Sequence, residues 1–271
     1  MLERCRYVNH KGEVIQFGEP PYFLNQNNLR DYILTFDTNA RGRITRYKRE
    51  LQEKVLPIFI LNGDNATNVR DRLFDVVEKD IAANEKGKIY IGDYYLKGVV
   101  FASEKKNYLN PKFMSLELKF ITEDSLWCKD IKFSFVHGAS GGVSGDGLKY
   151  PYRYPYKYGP GKGAKIINVE SVLASEFELI IYGPIVDPSI KIGKNTYSIF
   201  TTAYPNEYIL AKSESKSIFR YKVNGQKENE FENKASGIFF NEIPSGENVV
   251  QANCTFDLLV HMKRGEPVWN S

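Results

Sequence analysis

The chain has 271 residues, of which 42% are apolar and 26% charged. That balance belongs to globular domains and excludes a disordered chain. A formal charge of +4, shared between both halves, does not suit a dedicated nucleic-acid binder, whose cations cluster on one face. No apolar h-region opens the chain and no window reaches the length of a membrane span, so neither export by a signal peptide nor membrane insertion is expected.

In chain order, EVIQFG, YILTFDTN and VLPIFILNG read as β-strands. The third is apolar almost throughout, as a strand covered on both faces would be. From Thr67 to Asn84 the period changes. Val69, Leu73, Val76, Val77 and Ile81 recur at helical spacing, which predicts one amphipathic helix packed on the sheet. KIYIGDYYLKGVVF then places Gly92-Asp93 between two alternating strands, a hairpin signal. In SLELKF, Leu116, Leu118 and Phe120 alternate with Glu117 and Lys119, the period of a strand with one wet face.

A composition break follows. HGASGGVSGDG, from His137 to Gly147, holds five glycines and two serines, a flexible connector between domains. It divides the chain into an N-terminal domain (1–137), a linker (138–147) and a C-terminal region (148–271). Past it the pattern is all β: EFELIIYG, SIKIG, TYSIF, YILA, SIFRYK, GIFFNEI and CTFDLLVHM are short runs at sandwich-like spacing. Asn224-Gly225 is the strongest hairpin turn, with Gly193-Lys194-Asn195 and Pro244-Ser245-Gly246 as further turns. The chain is expected to be mainly β, with an antiparallel sandwich in its second half.

Two local features invite a functional reading. YPYRYPYKY puts Tyr150, Tyr152, Tyr154, Tyr156 and Tyr158 at alternate positions. Base stacking on such a ladder needs a basic groove beside it, and the charge distribution offers none. Pro151 and Pro155 bar the run from a central strand, so it reads as an extended inter-domain arm. RGRITRYKR is the one local charge cluster. Arg41, Arg43, Arg46, Lys48 and Arg49 are candidates for contact with acids on an adjoining copy of the chain, with phosphate contact as the alternative.

Catalytic constellations are absent from the sequence. It has no GxSxG elbow, no Walker loop and no GxGxxG after a strand. Cys5, Cys128 and Cys254 form no CxxC pair, and His10, His137 and His261 stand alone, so neither a zinc site nor another cofactor is expected. Glu176 with Glu178, and Glu228, Glu230 and Glu232, read as wet faces of strands. An enzyme is not expected.

The arm of form YPYxYPY, followed by FELIIYGPIVDPSIKIGKNTYSI, NEYILA, the Asn-Gly hairpin, IFFNEIPSGENVV and a closing EPVW, resembles the distal tail protein (Dit) family of long-tailed siphophages. The KREL segment, the VLPIFIL strand and the helix after it extend the resemblance to the first half. The resemblance implies a structural, non-enzymatic baseplate protein of a phage or prophage. It implies an N-terminal β-rich ring-forming (belt) domain with one helix and a C-terminal galectin-like β-sandwich. The ring would be a hexamer at the virion tail tip, assembled in the host cytoplasm, joining the tail tube protein to the tail-tip protein and to receptor-binding proteins. The alternative is a carbohydrate-binding module for a host cell-wall saccharide. Sugar sites usually stack the ring on a Trp, and Trp127 and Trp269 both fall outside the predicted sandwich strands. No saccharide affinity is therefore expected.

Overall fold

A computed structural model describes residues 4–33, 35–48, 50–61, 66–110, 113–136, 165–235 and 238–267. They are predominantly β, with one α-helix among them. They form two compact units, residues 1–128 with 264–271, and residues 129–263. The Gly-rich segment expected as a linker lies outside the described residues.

The first unit contains β1 (Cys5–Val8), β2 (Val14–Phe17), β3 (Tyr22–Leu24), β4 (Thr35–Thr38), β5 (Ile44–Lys48) and β6 (Gln52–Leu61). After these come α1 (Ala66–Ala83), β7 (Gly87–Ile91), β8 (Tyr94–Asn110), β9 (Phe113–Thr122) and the start of β10 (Trp127–Phe135). Antiparallel pairing runs β10-β8-β7-β1-β2, and the long β8 also pairs with β9, which leads on through β6 to β3. One core joins these strands, built from the alternating inward residues Leu56, Ile58 and Ile60 of β6 and Leu116, Leu118 and Phe120 of β9. Each such side chain contributes about 1.5–3 kcal/mol on full burial. The expectation that β6 is covered on both faces needs correction, because Val55, Pro57 and Phe59 are only half-buried and Leu61 is 52% exposed.

The helix forms where its period placed it, and Leu73, Val76 and Val77 enter the core. Ile81 does not; it is 51% exposed, and the fully buried neighbour is Asp80. A buried carboxylate needs partners, and the β1–β2 hairpin supplies them. His10 donates its backbone N–H to Asp80 at 2.8 Å, the His10 Nδ1 lies 2.5 Å away, and the Tyr7 hydroxyl completes the set. Burial and the adjacent Asp80 push the Tyr7 hydroxyl well above its ordinary pKa. Gly87 allows this approach, since a Cβ there would lie 2.3 Å from the Tyr7 oxygen.

The second unit holds the rest of β10, then β11 (Lys165–Val169), β12 (Glu176–Tyr182), β13 (Ile185–Val186), β14 (Ser189–Ile192), β15 (Asn195–Ser198) and β16 (Thr202–Ala203). It continues with β17 (Tyr208–Lys212), β18 (Ser217–Tyr221), β19 (Lys227–Asn229), β20 (Gly246–Ala252) and β21 (Thr255–Arg264). One sheet runs β19-β18-β17-β12-β21-β10, antiparallel from β19 to β21, and a second, antiparallel throughout, runs β11-β20-β14-β15, with β13-β16 a separate ribbon. The two sheets share one core, in which Phe177, Leu179, Ile181, Phe256 and Leu258 meet Ile167, Ile190, Tyr197 and Val250. This is a β-sandwich. Tyr197 is fully buried and donates to the Asn241 carbonyl at 2.8 Å, and burial pushes its hydroxyl up to about 12.

The turns fall where the dipeptides put them, with Gly92 at φ 58° between β7 and β8 and Gly225 at φ 80° between β18 and β19. GIFFNEI departs from expectation: residues 238–240 make a turn and Ile243 a lone antiparallel bridge to Ser175, and Phe239 and Ile243 enter the core. Glu230 is also no wet-face residue. At 4% exposure it accepts from Arg220 Nε at 2.9 Å.

Candidate assembly interface

The charge run at 41–49 lies on a hairpin. Among the described residues strands β4 and β5 pair only with each other, in register Thr35↔Lys48, Phe36↔Tyr47 and Asp37↔Arg46, with an irregularity before Thr38↔Ile44. Asn39 shapes the tip. Its Oδ1 accepts from the backbone N–H groups of Arg41 and Arg43, both at 3.0 Å, and Gly42 takes φ 72°. These are local interactions, so the turn forms without tertiary support.

Nothing described covers this ribbon. Phe36 is 56% exposed and Ile44 48%, while Ile33 and Leu51 at its base reach 72% and 63%. A two-stranded hairpin is marginally stable alone in water, and a contiguous exposed apolar surface on it marks a contact site. Arg41, Arg43 and Arg46 are exposed, and among the described residues no acid pairs with their side chains. Lys48 ends β5; Arg49 lies outside the described residues.

At the base of the ribbon is a cavity of about 440 Å³ lined by Asn28, Asp31, Ile33, Thr35, Glu50, Leu51, Gln52, Glu53 and Lys54. Its floor is held by Asn28, whose Oδ1 accepts from the Val55 N–H at 2.7 Å. Gln52 donates to the Ile33 carbonyl at 2.6 Å. Lys54 is 3% exposed and donates to the carbonyls of Asn28 and Asp31; burial lowers its pKa. Asp31, Glu50 and Glu53 bring three carboxylates to the lining against the one Lys54, with Glu53 also 3.8 Å from Lys119. The first unit thus carries a cationic tip and a recess richer in carboxylates than in cations, opposite charges of the kind that orient a contact between proteins. Sequence reasoning found the cations and missed the recess. Its acids lie on either side of the hairpin in the chain and carry no local motif.

Nearby, the C-terminal segment closes on the same unit. Arg30 Nη1 donates to the Pro267 carbonyl at 2.8 Å and lies 3.7 Å from Glu266. The tyrosines of the expected arm, Tyr150, Tyr152, Tyr154, Tyr156 and Tyr158, lie outside the described residues, as does Trp269. Trp127 is buried in the core of the first unit. Cys5 and Cys254 are buried thiols, and burial pushes Cys254 up to about 12. Among the described residues no group of three or more His, Cys, Asp or Glu is placed to hold a metal ion, and no helix is long and apolar enough to cross a membrane.

No protein-family profile and no curated protein sequence matches the chain. Solved structures do. The Dit protein of phage SPP1, described as a paradigm of the hub adsorption apparatus in phages infecting Gram-positive hosts, superposes with a TM-score of 0.62 at 10% identity over 97% of this chain and 100% of its own. A chain of the phage P2 baseplate in its activated conformation superposes at 0.66 with 15% identity, covering 98% of this chain and all of its own. A second structure of that baseplate gives 0.63 at 14% identity, with the same coverage. The chain has the fold of these baseplate and distal tail proteins from end to end.

Proposed function

We propose that the chain is a structural, non-enzymatic component of a phage or prophage tail tip, a distal tail protein at the hub of the baseplate. The observation that carries the proposal is the β4–β5 ribbon, with its exposed apolar side chains and with Arg41, Arg43 and Arg46 meeting no acid among the described residues, on a fold shared over 97% of this chain with the SPP1 hub protein. In this reading the first unit is the ring-forming part. The ribbon of one copy, through Arg41, Arg43, Arg46, Lys48 and Arg49, lies against the acidic recess of the next. Exposed ion pairs contribute only about 0–1 kcal/mol each, so they set orientation while Phe36, Ile44 and Leu51 supply the apolar contact.

The ring is a hexamer that joins the tail tube protein to the tail-tip protein and to receptor-binding proteins at the virion tail tip, after assembly in the host cytoplasm. The sandwich of the second unit is the galectin-like domain. Light scattering across protein and salt concentrations tests the proposal. A hexamer, or a monomer that closes into rings as concentration rises, is expected. A strict monomer that binds single-stranded DNA with a steep salt dependence would overturn it.

A further inference from the structure

A short ribbon on the second unit leaves apolar side chains uncovered. Among the described residues β13 and β16 pair only with each other, in register Ile185↔Ala203 and Val186↔Thr202. Ile185 and Ala203 pack on the core of the sandwich, so Val186 and Thr202 face away from it. Val186 is 62% exposed, and Phe200 and Tyr204, two residues either side of Thr202, are 61% and 62% exposed. Apolar side chains exposed together in this way mark a contact site. Two acids border it. Asp187 follows Val186, and Glu232 precedes Asn233, whose carbonyl accepts from the Phe200 N–H at 2.7 Å. Both acids are exposed, and among the described residues neither pairs with a cation. Lys234, the neighbouring cation, is taken up by Phe231. Its ammonium lies 3.6 Å from the Phe231 ring centre and donates to the Phe231 carbonyl at 3.1 Å.

The chain supplies an occupant close by. Residues 137–164 lie outside the described residues, and both of their flanks, Val136 and Lys165, belong to the second unit. The Lys165 ammonium donates to the Ser134 carbonyl at 3.3 Å and sits 4.8 Å from the Phe135 ring centre. The chain thus leaves the unit and re-enters it at nearly one place. Strand register locates that place against the ribbon. Lys165 pairs with Val250, Val250 with Ile192, and Ile192 with Asn195. Lys165 is therefore entered from the end of the sheet at which Ser189 pairs with Ser198, the end that leads to Val186 and Phe200. Three strand spacings of about 4.8 Å across and five residues of about 3.3 Å along put Phe200 about 22 Å from Lys165. Tyr158 lies seven positions before Lys165, and seven extended residues span about 23–25 Å. The tyrosine run is within reach of the ribbon.

We propose that the run YPYRYPYKY lies along this ribbon of its own second unit, with its tyrosines against Val186, Phe200 and Tyr204. Alternate residues of an extended chain point the same way about 6.6 Å apart. Tyr154, Tyr156 and Tyr158 therefore share one edge, and Phe200, Thr202 and Tyr204 repeat at the same interval. Pro151 and Pro155 favour the extended form and lower the entropy lost on ordering. Arg153 and Lys157 stand on the other edge, and their long stems let the cations bend to Asp187 and Glu232. Such exposed pairs set orientation more than they add energy. The apolar contact does not have to be strong, because a tethered occupant acts at an effective concentration on the order of millimolar. In this arrangement the run covers the sandwich instead of bridging the two units.

Chymotrypsin digestion of the full chain tests this, since cleavage after Tyr152, Tyr156 and Tyr158 tracks how often the run is released. In the native chain these cuts are expected to be slow at every protein concentration. Phe200→Ser with Tyr204→Ser should speed them about tenfold or more, with the melting temperature unchanged. Asp187→Lys with Glu232→Lys should speed them severalfold, and decides alone if the serine pair lowers the melting temperature. Val172→Ser, a 68% exposed position past the far end of β11, should leave the rate unchanged. Cuts as fast in the native chain as in both double variants overturn the proposal, as does equal speeding by Val172→Ser. Protection that appears only as protein concentration rises also overturns it, and assigns the run to a second copy of the chain.

Discussion

Two hairpins carry most of the unusual charge, and their cations are treated in opposite ways. Around β17, β18 and β19, Arg220 bonds Glu230 and Glu228, lies 3.6 Å from Glu207 and donates to the Thr202 carbonyl, while Lys222 takes the other oxygen of Glu228. Arg220 and Lys222 thus have their acids within the same unit, and Lys227 lies over the Phe219 ring. On β4–β5, Arg41, Arg43 and Arg46 meet no acid among the described residues, and the apolar side chains beside them stay exposed. Both hairpins turn through a glycine at positive φ, Gly42 at 72° and Gly225 at 80°. The same local device therefore serves two ends. One hairpin is completed by its own fold; the other stays uncovered among the described residues, and in the proposed assembly a second copy completes it.

The largest expected effect sharpens this contrast on the satisfied side. Arg220→Ala would leave Glu230 and Glu207, with side chains 5% and 8% exposed, buried without their cation. Removing one partner of such a buried pair costs about 3–5 kcal/mol. A denaturant melt of the variant should show that loss, and an unchanged midpoint would mean the network is solvated in solution. The counterpart acts on association. Reversal of Arg41, Arg43 and Arg46 to Glu should leave the protomer's stability within about 0.5 kcal/mol while weakening self-association about tenfold or more. Sedimentation of the triple variant decides it, and intact assembly would remove the hairpin from the interface.

A smaller effect follows from pH. Lys222, by a hydrogen bond, and then Arg220 hold the Glu228 carboxyl below its ordinary 4.5. The folded state therefore binds fewer protons than the unfolded chain in acid. The stability contributed by Glu228 is fully present above pH 4.5 and is lost as pH falls through the folded value. Glu228→Gln should flatten that acid limb of a melting-temperature profile, and a profile of unchanged slope would show that the pair contributes nothing. Smallest is the turn itself. Gly42→Ala and Gly225→Ala each force a left-handed residue, and a Cβ at either position meets no atom within 4 Å. Each should cost about 1 kcal/mol. Equal shifts in the two variants would show that the turn cost is local and indifferent to what the hairpin contacts. A larger loss at Gly42 would mean that the tip is already buried by a partner.

Much of the fold was legible along the chain. The 3.6 period of Leu73, Val76 and Val77 placed α1, and Gly92-Asp93 and Asn224-Gly225 placed two hairpins, because these signals are set by neighbours in sequence. β1, β11 and β20 were not seen; they are short strands whose identity comes from pairing with distant partners. GIFFNEI misled for the opposite reason. Its apolar residues reach the core from a turn, and burial alone does not require a strand.

Of the candidate interface, the run of five cations and the Asn39–Gly42 turn were readable, since charge and turn geometry are properties of adjacent residues. The tertiary structure decided the rest. Among the described residues it gave β4–β5 no third strand, which exposes Phe36 and Ile44. It also gathered Asp31, Glu50 and Glu53 around one recess, and buried Asp80 where the helical period pointed to Ile81. Composition and period determine what a segment prefers by itself. Whether a side chain meets water, a partner or its own core depends on strands brought together across the chain, and no local pattern carries that information.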